Sequence, residues 1–216
     1  MNTKHRRKKT HRITKKMYIS KLKTHYPSCK YDGSLKNPSL TKYAEHKITY
    51  GEMDYEGLDK LYKKVILHNS KIDTFIDIGS GRGKLCLFMA AIEKIKKSIG
   101  IELVKERVDD ALELKEKLAF NYSNKVSFIN SNIFDVDFKT IVNNNSQVFV
   151  WFSNLCFEQS TTDNIFKKLT DELPSNSIIC CSKKILNNNP KIIFIENLPV
   201  EMSWDKGSNV YIYKTD

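Results

Sequence analysis

A glycine-rich turn with an acidic residue at its start is the part of this sequence best suited to bind a small ligand. Residues 77–84 read Asp-Ile-Gly-Ser-Gly-Arg-Gly-Lys, after an apolar run and before a helical pattern. Glycine permits positive φ and close approach of the backbone to a ligand. The G-x-G-x-G spacing differs from the G-x-G-x-x-G of dinucleotide sites. A carboxylate at Asp77 repels a diphosphate but attracts a cationic sulfonium. The turn therefore predicts an S-adenosylmethionine site contacted by Asp77, Gly79 and Gly81.

Polar residues at the ends of the next two apolar segments extend this prediction. Glu102 ends the first of them, 25 residues after Asp77, and its two carboxylate oxygens suit the paired hydroxyls of a ribose. Asn132 lies just past the second, where its amide can reach an adenine amino group. Taken singly, the glycine turn is compatible with a tight turn and Glu102 with a solvated strand end. Their order along the chain favours one cofactor site.

A candidate transfer site follows the fourth apolar segment, residues 147–152. Asn154 is expected to accept a hydrogen bond from a substrate amine and to contact the cofactor, and Phe157 to wall the approach channel. Methyl transfer to an amine is an in-line displacement that needs alignment and a neutral amine more than a strong base. A nearby sulfonium charge and a dry channel both favour the neutral amine. A turn asparagine beside a core phenylalanine is the alternative interpretation.

Apolar segments alternate with amphipathic ones along most of the chain. Strands are expected near 74–78, 98–102, 126–129, 147–152, 176–182, 191–198 and 207–214. Helices are expected near 54–68, 83–96, 104–121, 135–143 and 160–170. Strand–helix alternation predicts an α/β fold, a Rossmann-like class I methyltransferase with a mostly parallel seven-stranded sheet, helices on both faces and a final hairpin-like pair.

The positive charge of the chain is confined to its N-terminus. The net charge of +11 over 216 residues (36 − 25) equals that of residues 1–30, which hold eleven Lys and Arg and no acidic residue. Such a segment buries too little apolar surface to offset its ordering entropy, so residues 1–30 are expected to be a disordered basic arm. Residues 31–68 are expected to form a short approach segment with a helix, and residues 69–216 the S-adenosylmethionine-binding domain.

A basic arm on a neutral body predicts a nucleic-acid partner, and a solvated tail is the alternative. The candidate phosphate-binding residues are Lys4, Arg6, Arg7, Lys8, Lys9, Arg12, Lys15 and Lys16.

The absence of an apolar run of about 18 residues argues against a membrane span. His and Cys show no zinc-ligand spacing, so no metal site is expected. Five cysteines without a C-x-x-C pair indicate a reducing, intracellular environment, and a monomer is expected.

Several motifs, in order over residues 48–216, resemble the disruptor-of-telomeric-silencing-like, non-SET histone lysine methyltransferases. The matching pieces are Ile-Thr-Tyr-Gly-Glu at 48–52, the glycine turn at 77–84, Gly-Ile-Glu at 100–102, Val-Phe-Val at 148–150 with Asn-Leu-Cys-Phe at 154–157, and Met-Ser-Trp at 202–204 with Tyr211. Many methyltransferases share the glycine turn. The Tyr-Gly-Glu, Asn-x-x-Phe and Ser-Trp pieces are more specific to this family.

This resemblance implies methylation of a core-histone lysine on the nucleosome, in the nucleus or in a viral or host chromatin compartment. It implies that the cofactor contacts are Tyr50, Glu52, Asp77, Gly79, Lys84, Glu102 and Asn132. It also implies that Asn154, Phe157 and Tyr211 line the lysine channel. The basic arm would support nucleosome binding. Two positions depart from the family pattern, since Ser153 replaces the first of its paired asparagines and Asn132 replaces an acidic residue.

Two other functions compete with this one. Asn154 and Phe157 also have the spacing of the Asn-Pro-Pro-aromatic motif of base amino-methyltransferases, although both prolines are missing. Such an enzyme flips its target base and stacks it on an aromatic ring, which Phe157 or Trp151 could provide. A non-catalytic binding module with a degenerate fold is the second alternative, and the intact pair of Asp77 and Glu102 argues against it.

Overall fold

The computed structural model describes residues 14–26, 51–118, 122–143, 145–186, 189–203 and 205–216. Within these residues seven strands form one sheet. The strands are Thr74–Ile78 (β1), Lys97–Glu102 (β2), Val126–Asn130 (β3), Val148–Phe152 (β4), Ile178–Cys181 (β5), Ile192–Met202 (β6) and Asp205–Thr215 (β7). Their order across the sheet is β3-β2-β1-β4-β5-β7-β6.

Strands β1 to β5 are parallel, and β7 runs antiparallel between β5 and β6. Every residue of β1 and β4 is buried, as expected of central parallel strands that are covered on both faces. Successive strands are added on one side of β1 as far as β3, and the chain then crosses to the other side of β1 to form β4. An open α/β sheet forms a crevice at its carboxyl edge between the two strands where this change of side occurs, here β1 and β4. The predicted mostly parallel sheet with a terminal hairpin is confirmed.

Six α-helices lie in the described part of the chain. They are Lys15–His25 (α1), Tyr55–His68 (α2), Lys84–Ala90 (α3), Lys105–Leu118 (α4), Phe138–Ile141 (α5) and Gln159–Glu172 (α6). Helix α3 ends earlier than predicted, because the N–H groups of Ala91 and Ile92 donate to carbonyls three residues back, as in a 3₁₀ turn. Within the same residues, no helix is long and apolar enough to cross a bilayer.

Two apolar clusters cover the two faces of the sheet. One joins Phe75, Phe149 and Trp151 to α1, α2 and α3, and the other joins alternate strand residues such as Ile76 and Val150 to α5 and α6. Side chains alternate between the faces because a strand has a period of two. Helix α2 shares its cluster with the sheet, so the predicted boundary at residue 68 does not separate two cores.

The predicted disorder of residues 1–30 is wrong for residues 14–26. Thr14 caps α1 by accepting a hydrogen bond from the Met17 N–H at 3.3 Å. Tyr18, Leu22 and Tyr26 are at most 7% exposed and belong to the first apolar cluster. Their i, i+4, i+8 spacing gives α1 one apolar face, which outweighs the repulsion among its lysines. The rest of the predicted arm and residues 27–50 lie outside the described residues.

Gly57 allows α2 to approach the edge strand closely. A Cβ at this position would lie 2.5 Å from the carbonyl oxygen of Glu201 in β6. We therefore expect Gly57→Ala to lower the free energy of unfolding by about 1–3 kcal/mol, since overpacking outweighs the gain in helix propensity. Urea denaturation monitored by circular dichroism measures this change.

Gly207→Ala is the matched control, because a Cβ there would meet no atom within 4 Å. Its free energy of unfolding should stay within about 0.5 kcal/mol of the wild-type value. A Gly57→Ala variant as stable as the wild type would show that α2 and β6 are not held at this separation.

Candidate active site

A cavity of about 660 Å³ lies at the carboxyl ends of the parallel strands. Its wall includes Asp77 and Ile78 from β1, Glu102 from β2 and Trp151 from β4, together with the loops that follow these strands. Its volume falls within the range of roughly 300–1,000 Å³ that is usual for small-molecule sites. The position agrees with the crevice that the strand order predicts.

Three carboxyl groups in the cavity wall are nearly fully buried. Asp77 is 3% exposed, Glu102 5% and Glu52 7%. Burial raises the pKa of Asp77 well above its ordinary value, and the charges of Glu102 and Glu52 raise it further. Each of these effects disfavours an isolated carboxylate and favours a cation in the cavity. The sequence prediction of an acidic cofactor site agrees with this environment.

The glycine turn wraps around Glu102. Gly81 donates its N–H to one carboxylate oxygen at 2.8 Å, and Val104 donates to the other at 2.9 Å. Gly79 has φ of 76° and Gly83 has φ of 78°, values that favour glycine. No atom lies within 4 Å of a Cβ built on Gly79, so the backbone borders open space there. Each carboxylate oxygen of Glu102 can accept a second hydrogen bond, so the backbone clamp leaves it able to bind a diol.

Residues 51–53 form another part of the wall. Glu52 forms two hydrogen bonds with Ser203. The Ser203 N–H donates to the Glu52 carbonyl at 2.8 Å, and the Glu52 N–H donates to the Ser203 side-chain Oγ at 3.1 Å. Met53 forms an antiparallel bridge with Met202. The turn between β6 and β7 therefore fixes this segment, which explains why a Ser motif far along the chain belongs to the site. Tyr50 and Trp204 lie outside the described residues.

Lys84 does not line the cavity. It is 1% exposed, and its Nζ lies 2.8 Å from Glu52 Oε2, behind the wall. A buried ammonium requires a counter-charge, and Glu52 provides it. In this arrangement Lys84 holds Glu52 rather than touching a ligand, a role that the sequence alone did not indicate.

The far side of the cavity is more apolar. Leu155, Cys156 and Phe157 from the loop after β4 line it, together with the polar Ser153 and the exposed Glu158. The Phe157 ring packs edge-on against Phe152 at 5.0 Å between centroids, so its orientation is fixed. Phe157 therefore lines the cavity, and its place beside an acceptor amine stays a prediction.

Asn154 lies behind this wall. Its side chain is 0% exposed, accepts a hydrogen bond from the Lys183 N–H at 2.7 Å and donates to the Lys183 carbonyl at 3.4 Å. The structure thus corrects its predicted direct contact with an amine or cofactor, because both polar ends tie its loop to the loop after β5. Ser153, the residue before it, lines the cavity. Ser153 was not predicted to be a site residue, because the sequence showed it only as a replacement for an asparagine of the family.

Tyr211 is also not brought to the cavity. It lies in β7 opposite Cys181 and packs partly buried against the cluster that contains Phe152 and Tyr213. Strand alternation turns its side chain to that face of the sheet. Its predicted place in a lysine channel is therefore not observed.

Asn132 and Arg107 complete the wall on the side of β2 and β3. The Asn132 side-chain oxygen accepts a hydrogen bond from the Phe134 N–H at 3.1 Å, and an amide oxygen can accept a second from an adenine amino group. Arg107 is 7% exposed within the charged helix α4. It was not predicted as a site residue because it lies among exposed charged residues in the chain, although helical spacing places it beside the buried Val108 and Ala111.

Sheet order and cavity position together define a Rossmann-like class I methyltransferase fold. A putative caffeoyl-CoA O-methyltransferase from Staphylococcus aureus is 15% identical with a TM-score of 0.56, over 94% of this chain and 99% of that one. Magnesium protoporphyrin IX methyltransferase from Synechocystis PCC 6803, solved with bound SAM, is 10% identical with a TM-score of 0.55, over 92% and 91% of the two chains. At these identities the similarity shows the fold.

The family is narrower than the fold. The family model described as histone methylation protein DOT1 matches residues 31–201. This match covers well over half of the chain, so the chain belongs to the DOT1 family. The resemblance that the sequence motifs indicated is confirmed.

Two curated relatives share the name histone-lysine N-methyltransferase, H3 lysine-79 specific. The Caenorhabditis elegans protein is 28% identical over 152 residues, which are 68% of this chain and 16% of that protein. The Drosophila melanogaster protein is 49% identical over 53 residues, which are 24% of this chain and 3% of that protein. The chain therefore spans only a small part of the length of these relatives.

The raised pKa of Asp77 predicts a pH-dependent stability. Because the folded-state pKa lies above the unfolded value, the folded chain holds an extra proton and loses stability as pH rises between the two. Asp77→Asn removes this loss, so the ligand-free variant should gain about 1–3 kcal/mol over the wild type at pH 8. The gain should shrink as the pH is lowered toward 4. Urea titrations across this pH range measure it.

Glu116→Gln serves as the control, since Glu116 is exposed on α4. As a surface substitution it should change the free energy of unfolding by no more than about 0.5 kcal/mol at pH 8, well below the gain expected for Asp77→Asn. If the Asp77→Asn difference were independent of pH, Asp77 would not carry the proton that its surroundings indicate.

Proposed function

We propose that this chain is an S-adenosylmethionine-dependent protein-lysine N-methyltransferase that acts on a core-histone lysine in the nucleosome. The observation that carries the proposal is one cavity with two unlike sides. Buried carboxyl groups form the side near Asp77 and Glu102, and mostly apolar groups form the side near Phe157, where the Glu158 carboxylate is exposed. Membership of the DOT1 family and the names of the curated relatives support a histone lysine as the acceptor.

The acidic side fits a cationic ligand that carries a ribose. When bound, S-adenosylmethionine supplies a methyl group on a positively charged sulfur. A cation bound here would lower the raised pKa of Asp77 and so favour its ionised form. Glu102 is held by two backbone N–H groups, so its carboxylate is oriented before the hydroxyls arrive. Open space beside Gly79 admits the ligand close to the backbone.

The apolar side fits a lysine side chain. Phe157 and Leu155 can pack along four methylene groups while the amine reaches the methyl group. A poorly hydrated channel lowers the pKa of the incoming ammonium, so that it reacts as a neutral amine. Asn154 acts here as a positioning residue, because it joins the loop of Phe157 to the backbone of Lys183.

The basic residues before α1 fit nucleosomal DNA, and the proposed location is chromatin. Lys15 and Lys16 are exposed in the first turn of α1. Because α1 is docked on the domain, these two lysines have a fixed place relative to the cavity. The remaining candidates in the arm lie outside the described residues.

A labelling experiment tests the proposed reaction. The chain is incubated with radiolabelled S-adenosylmethionine and, in separate tubes, nucleosomes, free histones, DNA or RNA. The expected result is labelled histone in the nucleosome sample, with the modified lysine located by mass spectrometry. Label on DNA or RNA instead would establish the base amino-methyltransferase alternative. No label, together with no S-adenosylhomocysteine binding by calorimetry, would leave a binding module.

Neutralising the arm should weaken nucleosome binding without changing the cofactor site. The variant replaces with glutamine the residues Lys4, Arg6, Arg7, Lys8, Lys9 and Arg12. Each lost phosphate contact should reduce the slope of log K against log salt by about 0.9. Binding of nucleosomes at several salt concentrations, and calorimetric binding of S-adenosylhomocysteine, measure the two effects.

The control replaces Lys94, Lys139 and Lys206, three exposed lysines of the domain. It should leave the salt dependence almost unchanged. A similar loss of nucleosome affinity in both variants would mean that general positive charge, rather than the arm, holds the nucleosome.

A further inference from the structure

The end of helix α1 reaches the wall of the cavity. Tyr26, the residue that closes the helix, donates its hydroxyl hydrogen to Glu52 Oε1. Glu52 in turn lines the cavity. Helix α1 precedes residues 31–201, the part of the chain that the family model matches. The contact is therefore made by a segment to which neither the family motifs nor the transfer chemistry assigns a role.

Tyr26 also contacts the glycine turn. Lys84, which is paired with Glu52, has its Nζ 5.8 Å from the centre of the Tyr26 ring. The Arg82 guanidinium lies 5.4 Å from the same ring. Cations at these distances are attracted to the face of an aromatic ring. One side chain thus touches both the loop that carries Glu52 and the turn that borders the proposed cofactor.

Two further contacts fix the end of α1 to the start of α2. The Tyr55 hydroxyl donates to the Tyr26 carbonyl at 2.8 Å. Lys23 forms an ion pair with Glu56 at 2.9 Å, on the surface. Because α2 begins directly after residues 51–54, these contacts hold α1 against the segment that contains Glu52. The helix is attached at three points within one turn of its end.

The Tyr26 hydrogen bond matters for stability because its acceptor, Glu52, belongs to a buried ion pair with Lys84. Glu52 is 7% exposed and Lys84 is 1% exposed. A buried pair is stable only when its oxygens and hydrogens find further hydrogen bonds, and the Tyr26 hydroxyl provides one of them. If α1 moved away, Glu52 would lose this bond and its orientation toward the cavity would loosen. A ligand that orders residues 51–53 favours, by the same linkage, the docked helix.

We propose that α1 is a built-in clasp of the cofactor site, with Tyr26 as its positioning residue, so that docking of the helix and occupancy of the cavity strengthen each other. This coupling rests on the proposed function, because it takes S-adenosylmethionine or its product as the occupant. The same coupling implies that the basic residues ahead of α1 affect cofactor binding as well as nucleic-acid binding. A polyanion that holds α1 in its docked position would also strengthen cofactor binding.

The test compares Tyr26→Phe with Tyr18→Phe in the full chain. Tyr18 is a second buried tyrosine on the same face of α1, but it packs against Tyr122 at 5.1 Å between ring centroids, away from Glu52. Both changes keep the ring and remove one hydroxyl. Tyr26→Phe should raise the Kd for S-adenosylhomocysteine about tenfold, within the roughly 5- to 150-fold range that is typical of coupling between two sites. Tyr18→Phe should leave this Kd within about twofold.

Hydrogen–deuterium exchange provides a readout that lost stability alone would not change. In the wild type, saturating S-adenosylhomocysteine should slow amide exchange in residues 15–25. The slowing should persist in Tyr18→Phe and be much smaller in Tyr26→Phe, measured at concentrations that saturate each variant. Equal Kd changes in the two variants, or unchanged wild-type exchange despite binding, would overturn the clasp and leave the proposed function intact. A wild-type chain that does not bind S-adenosylhomocysteine would overturn both.

Discussion

Three acidic side chains buried at one edge of the sheet set the main constraint on this structure. A carboxylate taken out of water is stable only with hydrogen bonds or a counter-charge. Glu102 has two backbone N–H donors, and Glu52 has the ammonium of Lys84 and the hydroxyl of Tyr26. For Asp77, burial and its acidic neighbours instead raise the pKa. Asp77 is thus the member of the three that gains most from a bound cation.

The sheet creates this constraint through its register. Asp77 of β1 pairs with Gly100 of β2, two residues before Glu102. A Cβ at Gly100 would lie 2.6 Å from Ser80 Oγ and 2.6 Å from a carbon of the Phe128 ring, so only glycine lets the turn lie against β2. The close approach of the turn is what allows Gly81 to hold Glu102. The acidic pair and the glycine turn therefore form one unit, and neither would keep its geometry without the other.

The apolar side of the cavity is built on a different principle. Its position depends on loops after β4 and β5 that are joined by Asn154 and the backbone of Lys183. Tyr213 adds to this support, since its hydroxyl accepts a hydrogen bond from the Ile185 N–H at 2.9 Å. Desolvation by burial raises the pKa of Tyr213 to about 12, although the hydrogen bond from the Ile185 N–H acts in the opposite direction. Rigid loops at this place suit a reaction in which alignment matters more than acid or base strength.

The amino-acid sequence by itself determined the alternation of strands and helices, the glycine turn and the acidic residues at strand ends. These are local features, because strand periodicity, glycine conformation and the position of a residue after a strand are all encoded within a few residues. The family motifs could be identified for the same reason. The sequence also contained the i, i+4, i+8 pattern of Tyr18, Leu22 and Tyr26, but the surrounding lysines concealed it.

Only the tertiary structure decided which of these side chains face the cavity. Asn154 and Lys84 belong to sequence motifs, yet their polar atoms hold other groups behind the wall. Ser203 and Tyr26 lie 151 and 26 residues from Glu52 and still fix its place. Burial and hydrogen bonding between distant segments depend on how helices and strands pack, and no local pattern encodes that packing.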